Sequence, residues 1–353
     1  MNARPTLKDV GAAAGVSVYV ASRALRGASG VAQSTRTRVL EAAANLGYVR
    51  NEVAAGLKMQ SSHTVGILAA SGRNQYYSML AQAIDTTLHE YGYFAVTNDM
   101  VRDRVNTDES EEEAVRMLLE QRPAAIIATY SLRPRSLKVI ESFRVPVVFV
   151  DAPPEDGSPY PFVGSDNRQA GRLAASHLAG LGHRNAVVLA FPRVWKTFEA
   201  RVEGFKDAAE SAGMAVTVVE SAENSPESAC ERLGKLLDRV DSPDRPDCVF
   251  ALNTLMVMGA FRALKERGVS IGTEISLMAI DDFDWAPLLD PPLTVIAQNM
   301  EEIGRQAARF VVDAINGNAL QGQQLTIAVR LIERQSCVDR RVPARRGKPK
   351  APR

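Results

Sequence analysis

The opening stretch of the chain carries a helical period. Leu7, Val10 and Ala14 recur at i, i+3 and i+7, which puts them on one face of a helix that Thr6 can cap. Gly15-Val16-Ser17 breaks the pattern. Gly15 supplies a permissive backbone, Val16 an apolar plug, and Ser17 a cap for a second helix from Val18 to about Arg26 that Gly27 stops. A third helix is predicted over 35–46, capped by Ser34 and closed by Gly47, with Val39, Leu40, Ala43 and Leu46 as its packing stripe. Two short helices joined by a tight glycine turn, with a third behind them, make a helix-turn-helix unit.

From residue 64 the pattern changes to short β-branched runs alternating with amphipathic stretches. Strands are predicted over 65–70, 94–98, 125–129, 147–151, 186–191, 216–220, 248–252 and 275–280. Helical patterns fill the gaps, among them 79–91, 111–121, 169–181, 200–212 and 256–267. Such alternation implies parallel sheets with helices on both faces. The Pro- and Gly-rich stretch 153–161 and the strand-to-helix step at 164–167 mark a crossing between two lobes. No strong internal repeat stands out in the sequence.

Ligands of open α/β sheets bind at the carboxyl ends of strands. The polar residues at those ends are Ser71 and Asn74, then Asp151, then Asn253 and Thr254, then Asp281 and Asp282. Asp166, Asn167 and Arg201 join them at the starts of later elements. Paired carboxylates, amides and an arginine suit a ligand rich in hydroxyls, although any one of these residues can equally be a helix cap. Trp195 and Trp285 either stack on a sugar ring or pack between the lobes.

Charge sharpens the division. The net charge of the 353 residues is +1, but residues 1–62 hold eight Lys/Arg against three acids, and residues 340–353 hold seven against none. The remainder therefore carries −11. A basic head on an acidic body points to a polyanion as partner of the head alone. On the second helix Ala21 and Leu25 face inward, leaving Val18, Tyr19, Ser22 and Arg23 on the outer face. The N-terminal part of such a helix enters the major groove. There Arg23 can reach guanine O6 and N7 together, while Val18 and the Tyr19 ring meet thymine methyls.

Other chemistries are absent from the pattern. No glycine phosphate loop follows the first strand, no HExxH spacing joins the four histidines, and no serine sits in a GxSxG elbow. His183 at a helix-to-strand turn reads as structural, and Asp281-Asp282 lacks the further carboxylates a hard cation needs. No enzyme, cofactor or metal is expected. Three separated cysteines, no apolar run of about 18 residues and no signal segment fit a cytoplasmic protein. The Pro-, Lys- and Arg-rich 340–353 is expected to be a disordered tail.

Several blocks in fixed order resemble lactose-repressor-type (LacI/GalR) regulators. They are Thr6-Leu7-Lys8-Asp9-Val10, Ala14-Gly15-Val16-Ser17, Ser22-Arg23-Ala24-Leu25, Thr35-Arg36-Thr37-Arg38-Val39 and Leu46-Gly47-Tyr48. In the body, Val163-Gly164-Ser165-Asp166-Asn167, Gly182-His183-Arg184, Arg201-Val202-Glu203-Gly204-Phe205, Asp281-Asp282 and Pro292-Leu293-Thr294 extend the resemblance over nearly the whole chain. The resemblance implies a helix-turn-helix head (1–50), a hinge (51–62) and a two-lobed α/β core with parallel sheets like that of periplasmic binding proteins (63–339). Lobe one is expected over 63–163 and 293–324, lobe two over 164–292 and 325–339. In the hinge, Asn51 fits the family pattern and Leu57 stands where the family wedges open the minor groove. Arg50, Ala55, Gly56 and Val20 depart from that pattern. Asp151, Arg201, Asn253 and Asp281 fall on effector-holding positions, while Thr254 departs from the usual Asp. What is implied is a homodimer, or a tetramer, on a near-palindromic operator, with a sugar or sugar acid as effector. Repression is the family's commoner mode and activation its other one. A transport solute-binding protein, the rival reading, would lack the helix-turn-helix.

Overall fold

The computed structural model describes residues 5–48, 62–70, 74–99, 108–191, 196–238 and 245–341. The chain divides into two compact units, residues 1–62 and 63–353.

The first unit is built of α1 (Leu7–Ala14), α2 (Val18–Leu25) and α3 (Gln33–Leu46). Thr6 and Asp9 form a reciprocal cap: the Thr6 hydroxyl accepts from the Asp9 amide at 3.4 Å, and the Asp9 carboxylate accepts from the Thr6 amide at 2.7 Å. The Thr6 hydroxyl also donates to the Asp9 carboxylate at 2.7 Å, and this bond first, with that from the Thr6 amide, holds the Asp9 carboxyl below its ordinary range. Gly15 takes the left-handed turn at φ 64°, and Ser17 accepts from the Val20 amide at 3.3 Å to start α2. The α3 start differs from expectation. Ala32 stands at the cap without a side-chain bond, so Ser34 lies inside the first turn rather than before it. Val10, Ala14, Ala21, Ala24, Val39, Ala42 and Ala43 form the buried core, with Leu7, Val16 and Leu25 packed partly against it. Leu40 and Leu46 do not join this core, being 48% and 40% exposed. Helix α3 instead packs through Val39 and two alanines, whose small side chains let the three helices approach closely.

The second unit holds two six-stranded sheets. The first contains β1 (Thr64–Ala69), β2 (Phe94–Asp99), β3 (Ala125–Ala128), β4 (Val147–Val150), β5 (Phe162–Ser165) and β11 (Gln324–Ile327), in the order β11-β5-β4-β3-β1-β2 and all parallel. The second contains β6 (Asn185–Ala190), β7 (Ala215–Glu220), β8 (Cys248–Ala251), β9 (Ser276–Ile280), β10 (Thr294–Ala297) and β12 (Arg330–Ile332), in the order β12-β10-β9-β8-β6-β7. Only its edge strand β12 runs antiparallel. Position for position the two orders coincide, a duplication the side chains conceal.

Helices cover both faces of each sheet. In the first lobe, the period of two sends Val65, Ile67, Ala125, Ile127, Val148 and Val150 toward α4 (Gln75–Glu90) and α11 (Met300–Ile315). Leu68, Ile126, Ala128, Val147 and Phe149 go to the other face, toward α5 (Asp108–Glu120) and α6 (Pro134–Ser142). The second lobe buries one continuous cluster beneath α7 (Asn167–Gly180), α8 (Lys196–Ser211), α9 (Pro226–Leu237) and α10 (Thr254–Glu266). Burial on both faces explains why the predicted strands read as unbroken apolar runs.

The lobe boundaries differ from those expected. The divisions at 163–164 and 324–325 cut through β5 and β11, which belong to the first sheet, and the division at 292–293 assigns β10 to the wrong lobe. The chain crosses between Ser165 and Asn167, between Ala297 and Met300, and between Ile327 and Arg330. Arg340, expected to open a disordered tail, is fastened to lobe two: its amide donates to Leu181 O at 2.8 Å and its Nη2 to Glu274 O at 2.7 Å. Residues 342–353 lie outside the described residues. Among the described residues no helix is long and apolar enough to cross a membrane.

Candidate functional site

The outer face of α2 carries Val18, 46% exposed, and Tyr19, 66% exposed, beside half-buried Ser22 and Arg23. Thr6 and Ser17 sit at the N-terminal ends of α1 and α2, where backbone amides and the helix dipole favour an anion. Arg23 is not free in solvent. Its Nη1 donates to Tyr19 Oη at 3.1 Å and its Nη2 to the Ser29 carbonyl. Arg36 on α3 is likewise engaged, its Nη2 donating to Ala28 O at 2.8 Å, whereas Arg38 is exposed. Asn51 and Leu57 lie outside the described residues.

A second constellation fills the cleft between the lobes of the core. Asn74, Tyr76, Tyr77 and Asp151 line it from the first lobe, and Phe191, Thr197, Arg201, Asn224, Asn253 and Asp281 from the second, with Gln298 at a crossing. The lobes stand close here: the cavity between these side chains is about 30 Å³, room for a water or two and well below the about 300–1,000 Å³ usual for small-molecule sites. Each charged group is held in place. Asp151 accepts from Tyr76 Oη at 3.2 Å and Tyr77 Oη at 3.0 Å. Asp281 accepts from Gln298 Nε2 at 2.6 Å. Arg201 donates through Nε to Asn167 Oδ1 and through Nη1 to Leu252 O, both at 2.7 Å.

Burial dominates the electrostatics. It pushes the Asp281 carboxyl up to about 6, against the Arg201 guanidinium and the Gln298 bond that favour the ion, while Asp151 adds to the rise. Burial likewise raises Asp151, opposed by Arg201 and the two phenols. Tyr76 and Tyr77 rise well above the ordinary phenol value, from burial first and Asp151 second. Two carboxylates face one guanidinium, and Gln298 Oε1 has no hydrogen-bond partner among the described residues. The site offers more acceptors than donors, which matches a ligand bearing several hydroxyls.

Of the residues read from strand ends, Asn74, Asp151, Arg201, Asn253 and Asp281 converge on this cleft, and Ser71 lies outside the described residues. Asn74 and Asn253 also cap α4 and α10, so cap and lining residue are not alternatives here. Asp166 caps α7, and Asp282 is turned away into a two-pronged pair with Arg334 at 2.7 and 2.9 Å. Thr254 is buried at the start of α10 but does not line the cleft. Trp285 stacks on Phe283 with centroids 5.8 Å apart, packs against the cores of both lobes and donates to Gln75 Oε1 at 3.2 Å. It therefore takes the lobe-packing role of the two considered for it. Trp195 lies outside the described residues. Both ring nitrogens of His183 meet protein partners: Nδ1 lies 3.1 Å from Asp247 Oδ1, and Nε2 lies 2.8 Å from Ser276 Oγ.

Sequence reasoning missed Tyr76, Tyr77, Phe191, Thr197, Asn224 and Gln298. The signal for Gln298 was present, because it follows a strand end. That strand, the four-residue Thr294–Ala297, is not among those predicted.

Comparison with known proteins agrees with this geometry. Residues 6–51 match the family model of bacterial regulatory proteins of the lacI family, and residues 175–337 that of a periplasmic binding protein-like domain. The HTH-type transcriptional regulator GntR of Pseudomonas aeruginosa is 30% identical over 334 residues, covering 94% of this chain and 96% of its own. The structure of the Lac repressor dimer bound to operator and the anti-inducer ONPF superposes with a TM-score of 0.82 at 28% identity, covering 95% of this chain and 100% of that one. A cellobiose complex of the transcriptional regulator CelR gives 0.69 at 28% identity, covering 94% and 100%. The chain belongs to the lacI family of bacterial regulatory proteins. It is a DNA-binding transcriptional regulator with a helix-turn-helix head and a two-lobed core, in a family of regulators rather than enzymes.

Proposed function

We propose that the protein is a cytoplasmic homodimeric repressor that binds a near-palindromic operator and answers to a small sugar or sugar acid held between the lobes of its core. Residues 1–50 read DNA, 51–62 serve as hinge, and the core binds effector and joins the two subunits. Val18, Tyr19, Ser22 and Arg23 meet base edges in the major groove, and Thr6 and Ser17 meet phosphates. Asn51 and Leu57 act in the hinge, Leu57 as a minor-groove wedge. Asn74, Asp151, Arg201, Asn253 and Asp281 hold the effector, with Ser71 beside them.

The observation that carries this reading is the meeting of Asp151 from one lobe with Asp281 and Arg201 from the other in one buried cleft. A ligand bonded to all three bridges the lobes and prefers one angle between them. That differential affinity is the source of coupling to DNA, about 1–3 kcal/mol in typical cases.

The test is a thermal-shift screen of the full chain against sugars and sugar acids. A ligand at a hundredfold excess over its Kd adds about 2.7 kcal/mol of stability. Each hit is then titrated into complexes with an operator selected in vitro. A hit that stabilises the protein and changes operator affinity supports the reading; a panel without stabilising members, or a hit without effect on DNA, defeats it.

A further inference from the structure

Tyr19 and Arg23 lie one turn apart on α2 and touch. Arg23 Nη1 donates to the Tyr19 hydroxyl at 3.1 Å, and the guanidinium carbon lies 5.7 Å from the centroid of the phenol ring. The other terminal nitrogen donates to the carbonyl of Ser29, in the turn between α2 and α3. Residue 30 is glycine at φ 82°, a backbone conformation that residues with a Cβ rarely adopt, so the turn keeps its shape beside the guanidinium. The turn is itself braced from α3, since Arg36 donates to the adjacent carbonyl of Ala28 at 2.8 Å.

An arginine on an exposed helix face ordinarily samples many rotamers, and a base contact must select one of them. Here a hydroxyl, a ring and a braced carbonyl hold the guanidinium before any DNA arrives. Two of its five donors are used, which leaves three for a base edge. We propose that Tyr19 is a positioning residue for DNA reading: its hydroxyl, with the turn at 28–30, fixes the Arg23 guanidinium in one orientation. Discrimination at the base pair Arg23 reads therefore depends on that hydroxyl. The proposal rests on the reading of Arg23 as a base-contacting residue. It differs from a direct role of Tyr19, in which the ring alone meets a thymine methyl.

Tyr19→Phe separates the two roles, because it keeps the ring and removes the oxygen. Tyr19 is largely exposed, so the change leaves the helical core untouched. A duplex is selected from a random pool with the full-length wild-type protein. Affinities are then measured at one salt concentration for that duplex, its single-base variants and a random duplex, with wild type, Tyr19→Phe and Arg23→Ala. Arg23→Ala is expected to flatten preference at one base pair. Tyr19→Phe is expected to reduce discrimination at that same pair about two- to tenfold, the usual cost of fixing one long side chain on binding. The melting temperature is expected to stay at its wild-type value, and any loss on random DNA to be smaller than the loss at that pair. Wild-type discrimination in Tyr19→Phe, a loss at a different base pair, or an equal loss on random DNA overturns the proposal. Full discrimination in Arg23→Ala removes the base-reading role itself, and the positioning role with it.

Discussion

Asp151 and Asp281 occupy the same place in the two lobes. Each follows the strand that lies third in its sheet order, β4 and β9, and each donates its amide to the neighbouring strand, to Val163 O at 3.0 Å and Ile296 O at 2.9 Å. Both hold a left-handed backbone, at φ 67° and 79°. That region costs a residue with a Cβ about 1 kcal/mol or more, and such strain persists where the surroundings impose it, often at functional sites. The duplicated topology thus brings two matching carboxylates to the cleft. Arg201, from the second lobe alone, breaks the symmetry by supplying a cation.

Removing the charge at 281 is expected to stabilise the ligand-free protein. With its carboxyl raised to about 6 from 3.8, the folded chain binds more protons than the unfolded one between about pH 4 and 6. Stability from this group therefore falls as pH rises through that window, and the full penalty applies above it. At about 1.4 kcal/mol per pH unit the penalty reaches about 3 kcal/mol at pH 7. Asp281→Asn tolerates the positive φ and can still accept from Gln298. Urea denaturation is expected to show the variant more stable by up to that amount at pH 7 and equal to wild type at pH 4. Equal stability at both pH values would contradict the buried charge.

The sequence made some of this legible and hid the rest for physical reasons. Strands β4 and β9 lie centrally, buried on both faces, so their apolar runs end sharply at the two aspartates. Thr294–Ala297 follows the proline pair of Asp290-Pro291-Pro292-Leu293, which reads as loop, and β11 and β12 are partly exposed edge strands of four and three residues, too short to establish a period of two. Gln298 and the lobe boundaries were lost with those strands. Tyr76 and Tyr77 stand before the predicted helix 79–91 with no local sign of a role, because both hydroxyls bond Asp151, about 75 positions away. Leu40 and Leu46 misled in the opposite sense: their spacing suits a core stripe, but alanine-lined packing of α3 left them outside.

Effector binding is expected to be linked to protons, and its sign reports the ligand's charge. Asp281 faces Arg201, Asp151, Tyr76, Tyr77 and Gln298 within the cleft. Hydroxyls donated to its carboxylate stabilise the ion, so a neutral sugar binds tighter as pH rises from 5 to 7 and releases protons. Restoring the ordinary carboxyl value would give up to about a tenfold gain between pH 5 and 7, and about a hundredfold between acid pH and pH 7. A sugar acid favours the protonated carboxyl, takes up protons and binds more weakly over the same range. Calorimetry in two buffers of different ionisation enthalpy reads the sign. A binding constant flat from pH 5 to 7 would show that the ligand does not touch Asp281.

The two arginines of α3 are expected to behave differently although they lie two residues apart. Arg36 braces the turn after α2 through Ala28 O, so Arg36→Ala should destabilise the head by about 1 kcal/mol, the usual worth of such a bond. Arg38 is exposed on the same helix. Arg38→Ala should weaken specific and random DNA alike and reduce the salt dependence of binding by about one phosphate contact. Melting curves and affinities over a salt series check both. An unchanged salt slope for Arg38→Ala would remove it from the phosphate-contacting set.

Arg201→Ala is expected to abolish the effector response, at a cost in stability that depends on pH. The guanidinium ties Asn167 to Leu252 O and is the charge that offsets both buried aspartates. Without it each carboxyl rises further, and the folded core must either bury two unbalanced ions or bind protons. Breaking a buried pair in this way typically costs about 3–5 kcal/mol. Because raised carboxyls penalise only the ionised form, the loss should be large at pH 7 and shrink toward pH 4 as both groups protonate. Arg201→Lys keeps a charge but lacks the planar fork that holds Asn167 and Leu252 O together, so it should recover part of the stability and little of the effector affinity. The head has its own core, Val10 through Ala43, so operator affinity without effector should change little in either variant below the melting temperature of the core. Calorimetry with an identified effector, beside operator titrations of the same samples, decides the matter. Undiminished effector affinity in Arg201→Ala would place the ligand outside this cleft, and lost operator binding in a folded Arg201→Lys would show that the arginine serves DNA binding rather than effector recognition.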